Sequence, residues 1–131
     1  MVKVQSIRMM GVDMDATWQK FLRHKVNSFI KWDLVRFFHD NPHTTDTAEN
    51  IARVVGRDAN TVSFELDGLA RAEMLIKETV SGQSIYRLTS DTDVRQVIRE
   101  FVAACHDREF RASAINQVIH DMDNHQPRRG F

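Results

Sequence analysis

Residues 57–71, RDANTVSFELDGLAR, mix side chains suited to nucleic acid with two that are not. Asn60, Thr61 and Ser63 can donate hydrogen bonds to phosphates or base edges, and an Asn amide matches the paired donor and acceptor of adenine. Phe64 offers an apolar contact for a thymine methyl. Arg57 and Arg71 flank the segment as phosphate clamps, and Lys77, Gln83 and Arg87 follow it. These nine residues are the candidate contacts to double-stranded DNA. Between Arg57 and Arg71 there is no base, whereas Glu65 and Asp67 are acidic. A carboxylate about 4 Å from a phosphate costs on the order of 1 kcal/mol in water, and more once desolvated. The acids could instead face the hairpin or the first helix, as partners for Arg36 or Arg53. Phe64 exposed beside acids suits a different use, the grip on another protein.

Other chemistry is sparse. There is no Gly-rich phosphate loop, no HExxH and no nucleophile elbow, so no enzyme and no cofactor is expected. The six histidines, His24, His39, His43, His106, His120 and His125, offer no clear one-face pair; His39 and His43 come closest but straddle Pro42. Cys105-His106-Asp107 is the only cluster with metal-ligand character, and no metal is expected there. Cys105 is the single cysteine, which excludes an internal disulfide and fits a reducing cytoplasm. Its place on an apolar stripe disfavours the thiolate a redox switch needs. Trp18, Trp32 and Phe101 read as core aromatics, with the wall of a small-molecule pocket as their other use.

The elements that must position these residues fit a chain of 131 residues, enough for one domain that hides roughly two-thirds of its unfolded surface. No run of 18 apolar residues and no secretory signal is visible, so a soluble, cytoplasmic protein without a membrane partner is expected. Eighteen Lys and Arg balance eighteen Asp and Glu, and a strong sequence-independent attraction to phosphate is not advertised. Residues 1–40 hold seven bases against four acids, so any cationic surface leans on that part.

Residues 1–14 are expected to form a flexible arm. From Asp15, Trp18, Phe21, Leu22 and Val26 recur at helical spacing. Asn27-Ser28 then offers a cap for a second helix, with Phe29, Ile30, Leu34, Val35, Phe37 and Phe38 as its stripe, ending before Asn41-Pro42. NPHTTD reads as a turn. Asp46 or Thr47 caps the next helix, with Glu49 placed for a capping box, and Ile51, Ala52, Val54 and Val55 are its buried face. Gly56 ends it in the left-handed conformation, and Asp58 caps a further helix with Val62, Leu66, Leu69 and Ala70 as its inward positions. LIKET and SIYRL, joined by VSGQ, form a two-stranded hairpin.

This order, and the wording TAENIARVVG followed by Asp58, Thr61, Val62, Leu66, Leu69, Met74, Leu75 and Ile76, resembles the winged helix-turn-helix superfamily of bacterial and archaeal transcriptional regulators over residues 28–90. The resemblance implies a mainly α fold with a small β-hairpin, a recognition helix at 59–72, and a DNA-binding transcriptional regulator. A winged-helix protein–protein interaction module that does not bind DNA is the alternative. Glu73 departs from the pattern, which places Gly there, so the turn into the first strand carries strain or is made differently.

Residues 15–90 then form the winged-helix domain with its preceding helix, residues 91–122 one long helix, and residues 123–131 a disordered tail. No Gly or Pro interrupts the chain from Asp91 to Pro127, and a helix from Thr92 to His120 would extend about 43 Å. Ile98, Cys105, Ala112 and Ile119 fit one heptad position and Phe101, Ile115 and Met122 the other, with Val97, Val102 and Val118 widening the stripe; Ile98, Phe101, Val102, Cys105, Ile115, Val118, Ile119 and Met122 are the candidate seam of a homodimer. Phe110 falls outside that phase and supports the other outcome, a break near His106-Asp107 with the second half folding back.

Overall fold

A computed structural model of the chain describes residues 14–125. Six helices lie within it: α1 (Ala16–Lys25), α2 (Phe29–Asp40), α3 (Ala48–Val55), α4 (Ala59–Arg71), α5 (Thr92–Ala104) and α6 (Arg108–His125). Three strands accompany them: β1 (Thr45–Thr47), β2 (Leu75–Val80) and β3 (Gln83–Leu88). Each helix start has a side-chain acceptor where the first turn leaves amides without partners. Asp15 accepts from Thr17 N at 2.7 Å, Ser28 from Lys31 N at 3.1 Å, and Asp58 from Thr61 N at 2.9 Å. Asp91 accepts from Val94 N at 3.2 Å, and Asp107 from Phe110 N at 3.0 Å. The cap of α3 is Thr47, which accepts from Asn50 N at 3.2 Å. Glu49 forms no capping box, because the Asn50 amide takes the third position and donates to Asp46 Oδ1 at 2.7 Å.

The sheet is antiparallel, in the order β1-β3-β2. Part of NPHTTD is therefore not turn: Thr45 to Thr47 form a strand on the outer edge of β3, with Asp46 opposite Tyr86. Three residues are too few to show a period of two, so this pairing had no sequence signal. The β2–β3 loop is the two-residue pair Ser81-Gly82, both left-handed at φ 52° and 81°. Gly56 is left-handed at φ 75°, and the following Arg57 amide donates back to Ala52 O at 3.0 Å, closing α3 as expected. Glu73 also sits at φ 67°, so the turn out of α4 is made by a residue whose Cβ disfavours it.

The expected long C-terminal helix is two helices. Cys105 to Asp107 form a turn, the Asp107 carboxylate starts α6, and the Arg111 guanidinium donates to the freed Cys105 carbonyl at 2.8 Å. What drives the bend is Phe110, whose ring lies 5.6 Å from Trp18 and 6.3 Å from Phe101. Phe101 is the hub of this aromatic core and meets Phe21 at 5.2 Å and Trp32 at 5.3 Å. Folding back lets α6 bury Ala114 and Val118 against α1, where Asp121 lies 4.0 Å from Arg23 Nε. Most of the arm expected over 1–14, and residues 126–131 of the tail, lie outside the described residues. Met14 is buried and α6 reaches His125, so both boundaries fall further toward the termini than expected.

Candidate nucleic-acid interface

Helix α4 buries Val62, Leu66 and Leu69 completely and leaves Asn60, Phe64 and Arg71 exposed, with Phe64 at 66% of its full accessibility. Its two acids are paired, Glu65 covered and Asp67 about a third exposed, with lysines rather than Arg36 or Arg53. Glu65 pairs with Lys31 of α2 at 3.2 Å, and both side chains are largely covered. Lys31 also donates to Asn27 Oδ1 at 2.9 Å and lies across Gly68, where a Cβ would come within 2.8 Å of Lys31 Cε. Asp67 accepts from the buried Tyr86 hydroxyl at 2.7 Å and from Lys77 Nζ at 2.9 Å, both from the hairpin. Burial pushes the Asp67 carboxyl up, but the Tyr86 and Lys77 hydrogen bonds outweigh it and hold the group below its ordinary value of 3.8. Tyr86 is raised, by burial first and then by its bond to Asp67. Arg53 instead donates to Asn50 Oδ1 at 2.8 Å, within its own helix.

The basic candidates are mostly engaged. Arg57 Nε and Nη2 both donate to Asp33 Oδ2 of α2, at 3.0 and 2.6 Å. Arg87 pairs with Glu78 at 3.1 Å. Alternation along the paired strands puts Lys77 and Tyr86 on the sheet face toward α4, and Arg87 with Glu78 on the other face. Gln83 is exposed at the start of β3. Thr61 donates its hydroxyl to the Asp58 cap at 3.1 Å, and Ser63 is half-buried. The nine candidates therefore do not form one surface. Asn60, Phe64 and Arg71 share α4, Arg57 leads into it, Lys77 joins it to the hairpin, and Arg87 lies apart. Arg71 has no ion pair with a described residue.

Three contributors went unforeseen: Lys31, Asp33 and Tyr86. Each acts across 19 or more positions of sequence, a range that periodicity does not reach. Val54, expected on the buried face of α3, is 70% exposed, because an eight-residue helix buries little beyond Ile51 and Ala52.

The expected dimer seam is divided by the bend. Ile98, Phe101 and Val118 are consumed by the chain's own core, and Val102 and Cys105 are half-buried. Ile115, Ile119 and Met122 remain exposed, at 37%, 46% and 38%. Burial pushes the Cys105 thiol up to about 11, which suppresses the thiolate at neutral pH. The Asp107 carboxylate is occupied as a cap. A cleft of about 450 Å³ between α1, Met74 and α5 has Trp18 and Phe21 on its wall. Trp32 and Phe101 are not part of it; both are buried. Among the described residues, no helix is long and apolar enough to cross a membrane.

Comparison with known proteins gave no match: no family model, no curated protein and no solved structure aligns with the chain.

Proposed function

We propose that the chain is a DNA-binding transcriptional regulator of the winged-helix type that works as a homodimer. The observation that carries this reading is the pairing of Glu65 with Lys31 and of Asp67 with Lys77 and Tyr86. It weakens the electrostatic objection to α4, whose exposed stripe is Asn60, Phe64 and Arg71 with the neutralised Asp67 among them. Thirteen residues make a rod of about 20 Å, which fits a major groove about 12 Å wide. The run from α3 through the Gly56 turn, α4 and the β2–β3 hairpin supports the winged-helix resemblance. For the dimer, the support is the partly exposed stripe of Ile115, Ile119 and Met122, at i, i+4 and i+7, flanking the face of α6 that buries Ala114 and Val118. Two copies would double a modest cationic footprint and match a palindromic site.

The test is duplex binding as a function of salt. Affinity falls with rising salt, and Asn60→Ala costs about 1–3 kcal/mol on a preferred site while relaxing the preference at one base pair. Undetectable binding at low salt overturns the reading.

A protein-interaction module is the second reading, favoured by the exposure of Phe64 and Val54. Under it, Phe64→Ala abolishes capture of a protein partner and added duplex does not compete.

A further inference from the structure

Resting on the reading that α4 meets a duplex, we propose that Asp33 acts as an internal substitute for phosphate: it holds the Arg57 guanidinium in an ion pair that a DNA backbone must displace, and so lowers affinity for arbitrary sequence. Arg57 stands in the short turn just before α4, and Asp33 lies on the second turn of α2. Two guanidinium nitrogens converge on one carboxylate oxygen, at 3.0 and 2.6 Å, as they would on one phosphate oxygen. The two side chains are 40% and 43% exposed, so the pair faces water where a phosphate can reach the guanidinium. Toward the other end of α4, Asp67 holds Lys77 at 2.9 Å in the same manner, although Asp67 also anchors Tyr86. Of the candidate cations that adjoin α4, only Arg71 is then left without an ion pair to a described residue.

Counterion release makes the consequence quantitative. A cation freed to neutralise one phosphate steepens the dependence of log affinity on log salt by about one, and at about 50 mM salt raises affinity roughly tenfold. Asp33 withholds that contribution from every duplex, whatever its sequence. Arg57 is thus positioned by Asp33 for an anion while its charge is screened from distant ones.

The experiment is fluorescence anisotropy with a labelled mixed-sequence duplex over a salt series. Asp33→Asn should bind roughly tenfold tighter at about 50 mM salt with a slope steeper by about one, and Asp33→Ala should match it, because both remove the carboxylate. Arg57→Ala should cost more in the Asp33→Asn background than in the wild type, a coupling that a change of overall charge does not produce. Asp93→Asn, the same charge change at an exposed position at the start of α5 with no ion pair to Arg57, should alter affinity by less than about threefold, because salt screens exposed charges. Equal gains from Asp33→Asn and Asp93→Asn, or strict additivity with Arg57→Ala, overturn the role of Asp33 and leave the DNA reading standing. No binding by any of these proteins at low salt overturns both.

Discussion

Single residues decide whether α4 can present a neutral face. Lys31 is the most consequential, because Glu65 is mostly covered and a carboxylate left there without its partner keeps its desolvation cost. Lys31→Ala is expected to destabilise the fold by about 2 kcal/mol in denaturant melts, and Glu65→Gln in the same background to recover part of it. Glu73 is a strain site of the opposite sign. Its left-handed backbone suits glycine, so Glu73→Gly should stabilise by about 1 kcal/mol despite the added chain entropy of glycine. Of these two positions only Glu73 was legible in the sequence, where it stood at a place the resemblance reserves for glycine. Lys31 carried no such signal, because nothing local reveals that a glycine 37 positions on leaves room for its stem.

At the scale of elements, the tie between α4 and the hairpin is a titratable cluster with a signed pH dependence. The folded state holds Asp67 below its ordinary 3.8, so its contribution is complete above that value and is lost as pH falls through the depressed one. Tyr86 is raised above 10.0 and Lys77 above 10.5, so theirs is complete below those values and lost as pH rises through the raised ones. Stability therefore forms a plateau across neutral pH. Tyr86→Phe should lower that plateau by about 1 kcal/mol and flatten its alkaline edge, as read from chemical denaturation at several pH values. The helices and the hairpin were visible in the sequence because caps, Gly56 and apolar spacing are local signals. Strand β1 was not, and the bend at Cys105–Asp107 was signalled only by Phe110 falling out of the heptad phase. The bend follows from an aromatic contact between Phe110 and Trp18, which lie on different helices, while the heptad of apolar residues persists straight through it.

For the whole molecule, the bend replaces an extended coiled-coil seam with a smaller apolar stripe on α6. Ile115, Ile119 and Met122 are too few for a long zipper, so the proposed dimer is expected to be modest and concentration-dependent. Ile119→Asp should give a monomer by sedimentation velocity with little loss of stability, since Ile119 is already 46% exposed. A dimer that persists in Ile119→Asp would place the interface elsewhere. The zero formal charge has a structural counterpart, because Arg57, Lys77 and Arg87 are each matched by a carboxylate within 3.1 Å. The balance of charge at the level of composition is thus repeated, pair by pair, on α4 and the hairpin.

Arg71 at the end of α4 is the cation left to meet a backbone without first giving up an ion pair to a described residue. Comparing the salt dependence of duplex binding for the wild type and Arg71→Ala is therefore the most direct measurement. The expected result is a log–log slope that becomes shallower by about one in the variant, with weaker binding at every salt concentration. Identical slopes in the two proteins, or no binding by the wild type at about 50 mM salt, would contradict a DNA-reading role for this helix.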